Sequence, residues 1–292
     1  MIKLIKVILG IIIFIVLAIV AFAITIYVLN RNNKPKKEVQ TFDASAEGYT
    51  VNIDVKDSYV TVKKSKTNNV TVTYYQSETR TFDVENTSNT LSVKGYQTGK
   101  WYNRIFISLK LTKVYETIVE VPEDKNVIIK TDNGNINVNQ VDLTTFKAET
   151  TNGGVMLDNV NAAIINIEST NGNIEVKNTD TSVSFVGKTK KGRILLDHLK
   201  SLLTIDADTA SGNITVDNTY AVGNITLHTG KGNITGPKKT TGVIRLISDA
   251  YYKVTAKAKN GTCSLENTTT GIAELNVSTD NGNIDLELKT LI

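Results

Sequence analysis

The sequence predicts an all-β chain: a parallel β-solenoid (β-helix) of coils about twenty residues long, preceded by one transmembrane α-helix. Three observations carry this. Glycines recur at a nearly constant spacing, apolar residues hold a fixed phase to those glycines, and an unbroken apolar run lies near the N-terminus. Composition agrees. With 40% apolar residues and three prolines in 292, the chain is neither disordered nor collagen-like. Its one cysteine, Cys263, excludes a disulfide framework and a Cys-based zinc site. The bias towards Asn, Thr, Val and Ile, with 19 glycines, is that of strands and turns.

The N-terminal element comes first. After a short tail, residues 1–6, the stretch VILGIIIFIVLAIVAFAITIYVL occupies residues 7–29. Its length as a helix, about 35 Å, crosses a hydrocarbon core of about 30 Å. Ala21-Phe22-Ala23 also fits a signal-peptide cleavage pattern. The apolar run continues past it, however, which favours an uncleaved anchor. Residues 30–40, NRNNKPKKEVQ, read as a basic polar linker. Residues 1–37 carry six Lys or Arg and no acid, so the net charge of +4 divides into +6 here and −2 beyond. Basicity therefore belongs to the membrane-flanking segment, and nucleic acid is not expected as a partner. Charge alone does not orient the anchor, because basic residues flank both ends.

The repeat follows. Gly134, Gly153, Gly172, Gly192, Gly212 and Gly232 are spaced by 19 or 20 residues, and Gly261 and Gly282 continue the series. Three residues before each stands Thr131, Thr150, Ser169, Thr189, Thr209, Thr229 or Thr279, with Ala258 the exception. Two residues after comes Ile136, Val155, Ile174, Ile194, Ile214, Ile234, Cys263 or Ile284. Further apolar columns lie seven before and four after, so the units read as strands with one buried face. Glycine is expected to supply the positive φ of a turn. Stacking such units buries a face that none buries alone. A meander of hairpins is the structural alternative. Repetition of one side-chain type at one phase favours the solenoid, with each coil on its sequence neighbour. Gly242, 19 residues before Gly261, suggests one lengthened coil. Residues 41–125 alternate less regularly and read as a β cap region, ahead of the regular repeat at 126–292, and 41–292 as one continuous domain.

The block TIVEVPEDKNVIIKTDNGNINV at 117–138, the repeated T-x-N-G-N-I-x-V and the N-terminal anchor together resemble the bacterial putative-adhesin family of cell-envelope proteins. The similarity covers roughly residues 41–292. It implies a solenoid-like domain at the envelope of a Gram-positive-type bacterium and brings no catalytic motif with it. The adhesive role is a fold-level association.

Side-chain chemistry is sparse. Cys263 sits in the isoleucine column and reads as a small buried hydrophobe. His198 shares the position six after glycine with Asn159, Asn178, Asn218 and Asn267, a polar turn ladder. His228 has no acidic cluster nearby in sequence. Asp158, Asp197, Asp217, Glu266 and Glu287 share the position five after glycine, facing outward. Asp197 and Asp217 on neighbouring coils could act on a polysaccharide as acid and base, but solvated surface acids explain them as well. TDNGN at 131–135 and 279–283 lacks calcium-loop spacing and is turn chemistry. Trp101, Tyr102, Tyr251 and Tyr252 fall outside the repeat and, with Asp197 and Asp217, are the candidate ligand contacts. No cofactor or metal is expected. The resulting expectation is a single-pass membrane protein, its bulk extracytoplasmic, acting as a non-catalytic binding scaffold for an envelope glycan or another surface protein. An envelope-stress sensor that binds a membrane protein, and a polysaccharide lyase or hydrolase, are the alternatives.

Overall fold

The computed structural model describes residues 2–32, 35–77, 80–97, 116–236, 241–246 and 251–290. Helix α1 spans Ile2–Asn32, longer at both ends than the apolar run, because the flanking polar residues continue its backbone ladder. No side chain between Ile8 and Thr25 is buried. Thr25, the polar residue within that run, donates its hydroxyl to the Ala21 carbonyl four residues back at 2.9 Å, so it presents no free donor.

The strands follow in chain order as β1 (Lys36–Asp43), β2 (Thr50–Val55), β3 (Tyr59–Lys64), β4 (Asn69–Gln76), β5 (Arg80–Asn86), β6 (Thr90–Gln97), β7 (Glu116–Val121) and β8 (Lys125–Thr131). Long strands β9 (Ile136–Thr150), β10 (Val155–Ser169) and β11 (Ile174–Lys191) come next. Then come β12 (Ile194–Ser201), β13 (Thr204–Ser211), β14 (Ile214–Asp217), β15 (Thr219–Ala221), β16 (Ile225–Lys231) and β17 (Ile234–Thr235). The last are β18 (Gly242–Leu246), β19 (Tyr252–Asn260), β20 (Ala273–Asn281) and β21 (Leu286–Thr290).

Pairing along the repeat is parallel, which decides for the solenoid over the meander. Three ladders form its faces. On the first, β6, β2, β8 and the later halves of β9, β10 and β11 lead to β13, β16, β20 and β19. On the second, β7, β3 and the opening residues of β9, β10 and β11 lead to β12, β14 and β17. The third joins the middles of the long strands to the end of β12, then β15, β18 and β21. The apolar columns point inward, and one hydrophobic cluster runs from Ala44 to Leu286. Ile136, Val155, Ile174, Ile194, Ile214, Ile234 and Ile284 stack through it, none more than 1% exposed. Each such side chain contributes roughly 1.5–3 kcal/mol of burial.

Several expectations change. β1 begins at Lys36, inside the segment read as a linker, and pairs antiparallel with β4. Its alternation is carried by Glu38, Gln40 and Phe42, two of them polar, so a hydrophobic pattern does not show it. Antiparallel pairing of β4 with β7 and of β5 with β6 closes the N-terminal end. At the other end the coils are not stacked in sequence order. β20 lies between β16 and β19, so the last residues fill a slot inside the final coil. Gly242 lies on the third face opposite Leu286, outside the glycine column. The outer edge of β19 is covered by its own following turn. Thr268 Oγ1 accepts from the Val254 amide at 2.8 Å, and Asn267 Oδ1 from the Ala256 amide at 2.6 Å. Cys263 keeps its phase, bridging to Ile284, but as the terminal rung it has no coil above it and is exposed.

Candidate functional site

The outward columns are positioned by an inward polar seam. The glycines form a spatial column in which Gly282 sits on Gly232 and Gly261 on Gly282. Their common requirement is close approach, and the positive φ expected from sequence is found only at Gly212, Gly232 and Gly282 (φ 157–159°). A Cβ at Gly153 would lie 1.8 Å from the Gly134 carbonyl oxygen, and one at Gly192 2.1 Å from that of Gly172. Beside them the buried hydroxyls of the preceding Thr or Ser bind two coils together. Ser169 Oγ accepts from the Gly172 amide at 2.8 Å and donates to the Gly153 carbonyl at 3.1 Å. Thr189, Thr209, Thr229 and Thr279 donate likewise to Gly172, Gly192, Gly212 and Gly232 at 2.7–3.0 Å. The asparagine after glycine has a matching role. Asn173, Asn213, Asn233 and Asn283 accept through Oδ1 from the backbone amide of the next coil at 2.8–2.9 Å. The motif G-N-I is thus one close contact, one coil-to-coil bond and one core residue.

The left-handed corner falls six residues after glycine, at Gln140, Asn159, Asn178, His198 and Asn218 (φ 44–55°). Asn tolerates this left-handed corner better than most residues, which explains the polar column that includes His198. Its Nδ1 meets Asp197 Oδ1 at 2.6 Å.

The acidic column is shorter than its sequence phase implies. Register places Asp158, Lys177, Asp197 and Asp217 on successive coils. Lys177 is paired with Glu175, and that hydrogen bond, reinforced by Asp197 and Asp158, raises its ammonium above the ordinary lysine range. Asp197 and Asp217 are rung neighbours. Glu266 lies on the exposed turn after β19, and Glu287 lies on β21 opposite Val243, so the exchanged coils remove both from the column. Tyr252 is 1% exposed and donates to the Ala221 carbonyl, its phenol pushed up by burial. It is a core residue. Tyr251 packs edge-on against it at 5.2 Å and donates to the Val222 carbonyl at 2.6 Å. Trp101 and Tyr102 lie outside the described residues.

The first face presents the concave feature. A groove of about 450 Å³ runs across the coils, lined by the charged Lys130, Glu149, Glu168, Lys188 and Asp208 and by Thr151 and Thr170. Lys147 donates to Glu149 at 2.8 Å and lowers that carboxyl's pKa, with Lys130 adding to the effect. The same outward column continues through Asp208 to His228 and Ser278, whose Oγ is 2.8 Å from His228 Nδ1. The acid that sequence distance hid from His228 is therefore one rung away. Fifty residues separate His228 from Ser278, and only the strand exchange joins them. The hydroxyl sits on the ring nitrogen that an orienting acid holds in a Ser-His-Asp relay, and the strand amides around it are spent in parallel pairing. His228 and Ser278 are a hydrogen-bonded pair on neighbouring strands, with Asp208 beside His228 in register. Among the described residues, no group of three or more His, Cys, Asp or Glu is arranged to hold a metal ion.

A glycine-centred coil with this three-faced stack is matched, over residues 50–287, by the sequence model of the Toastrack DUF4097 family. The chain belongs to that family. The Toastrack match takes in β2, before the regular repeat, and reaches β21. No curated protein matches the chain. Solved structures similar to it include a putative adhesin from Bacteroides fragilis and a putative lipid binding protein from Parabacteroides distasonis. Each is 13% identical, with 88% of this chain and 97% of that chain covered and a TM-score of 0.45. A putative cell adhesion protein from Clostridium sporogenes is 14% identical over 88% of this chain and 100% of its own, with a TM-score of 0.36. Likeness at this level transfers no residue role to the Toastrack domain described here.

Proposed function

We propose that the chain is a single-pass membrane protein that displays its Toastrack solenoid at the cell envelope as a non-catalytic binding scaffold. The observation that carries this reading is the apolar helix. Every side chain from Ile8 to Thr25 is left unburied, while the strands bury one continuous core of their own. A free run of that length is stable only in lipid or as a removed leader. The absence of a charge between Val7 and Asn30 favours the retained anchor. The domain boundary then falls between Asn32 and Lys36. Its partner is a polar surface molecule, an envelope glycan or protein segment, lying along the groove lined by charged residues and threonines. Asp197 and Asp217 remain candidate contacts on another face.

Cys263 supplies the test, being exposed and the sole cysteine of the chain. A membrane-impermeant maleimide applied to intact cells labels it if the solenoid is outside. Labelling only after lysis defeats the envelope display. Retention of the chain in membranes after alkaline extraction tests the anchor separately.

A further inference from the structure

One corner of the solenoid, between the third and first faces, breaks the rule that apolar residues point inward. Ile164, Leu202, Leu203 and Ile272 are 41%, 54%, 53% and 86% exposed along this corner. They belong to a continuous edge. Leu202 and Leu203 donate their amides to the Thr181 and Val183 carbonyls of the coil below, Val222 donates to Ser201 above, and Ile272 donates to Tyr251 at the end. Val183 and Val222 are half-buried between them. From β10 to the start of β20 this ridge crosses four inter-strand steps, about 19 Å.

A second feature lies beside it. The adjoining outward row of the third face is, in register, Asp142, Asn161, Asp180, Lys200, Tyr220, Arg245 and Lys289, acidic at its first coils and basic beyond them. Lys200 is well exposed and reaches Asp180 only at 3.8 Å; Lys289 is 3.1 Å from Glu287, and the Arg245 guanidinium donates to Asn218 at 2.9 Å. An exposed Leu and Ile edge flanked by basic residues and a tyrosine is the pattern of a surface that settles into the headgroup region of an anionic bilayer.

The chain itself puts such a bilayer within reach. Four peptide steps separate Asn32, the end of α1, from Lys36, the start of β1, a span of at most about 14 Å. A domain tethered that closely meets the membrane at high effective concentration. We propose that this corner is a lipid-binding surface, by which the solenoid lies along the membrane that anchors it, the Leu202–Leu203 edge among the acyl-chain ends and the Lys200, Arg245 and Lys289 row against anionic headgroups. This rests on the anchored reading above. A second copy of the chain is a poorer occupant, because a two-fold contact over this edge brings the two basic rows towards each other.

The test uses the full chain reconstituted in vesicles, with Cys263→Ser and an environment-sensitive fluorophore on Leu203→Cys or, as control, on Lys190→Cys. Both positions are exposed, so neither label displaces core packing. In vesicles containing about one-third phosphatidylglycerol and brominated acyl chains, the probe at 203 should lose at least about half its emission, and the probe at 190 little. Adding Lys200→Glu with Lys289→Glu should restore most of it, as should pure phosphatidylcholine. A probe at 203 quenched no more than that at 190 overturns the proposal. So does cross-linking of Leu203→Cys between chains without quenching, which assigns the edge to a second copy. Release of the whole chain on alkaline extraction overturns the anchor and this surface with it. Retention with an unquenched 203 probe overturns this surface alone.

Discussion

A Cβ added to Gly172 would lie 1.8 Å from the Gly153 carbonyl oxygen and 2.8 Å from the Gly154 amide nitrogen, both fixed backbone. Gly172→Ala should therefore cost more than about 3 kcal/mol, read as the shift of the urea midpoint, a large effect for one methyl group. Ser169→Ala keeps the backbone but strands the Gly172 amide and Gly153 carbonyl, and should cost about 1–2 kcal/mol. An outward change such as Thr215→Ala should stay within about 0.5 kcal/mol. Glu149 offers a pH readout. Its carboxyl is held below the ordinary value by Lys147, so its contribution is present above that value and lost as acid protonates the folded state. Glu149→Gln should slightly flatten the acid limb of the stability curve below about pH 4.5, by a few tenths of a kcal/mol given its exposure. At this scale the sequence marks which positions repeat but not why. T-x-N-G resembles a turn signal, yet the glycine is needed for contact between coils. The left-handed backbone sits at Asn159, Asn178 and His198, where only a column of mixed polar residues is visible. Cys263 shows the converse: its phase is legible, its burial is not, because burial depends on whether a coil lies above.

Among the elements, β20 is the least local. It pairs on one side with β16, whose residues lie about fifty positions earlier, and on the other with β19. Ending the chain after Gly271 removes β20 and β21 and unpairs the facing edges of β16, β18 and β19. Such a chain should remain paired through β13 but become protease-sensitive beyond β16 and self-associate through the bared edges, as limited proteolysis and size-exclusion chromatography would show. The regular coils were readable because each repeats its neighbour's pattern at a distance of 19 or 20 residues. The exchange was not, because β20 carries the same T-x-N-G and apolar phase as every other unit. Nothing in a repeating pattern says in which order the units stack. β1 escaped notice for a different reason: an edge strand with Glu38 and Gln40 on its inner side has no hydrophobic alternation to read.

At the scale of the whole molecule, a cooperative core from Ala44 to Leu286 joins the irregular N-terminal strands to the repeat, so the two should melt together. A single calorimetric transition on the full chain is expected, and two well-separated transitions would divide the domain. Function is the least legible level, because the outer columns are free to vary while the inner ones are not. The lipid-facing edge of Leu202 and Leu203 interrupts no core position, and the groove's acids and lysines hold one phase, four residues before each glycine, without a constant residue type or charge sign. The strand exchange has one more consequence, and it concerns synthesis. A solenoid stacked in sequence order can finish each layer as it leaves the ribosome. Here the layer resting on β16 is made after β19, so the distal coils wait, half-built, until residues 273–290 have left the ribosome. A product cut short before β20 therefore lacks its keystone and not merely its last stone, and the edges it leaves bare are a clear mark for the cell's proteases.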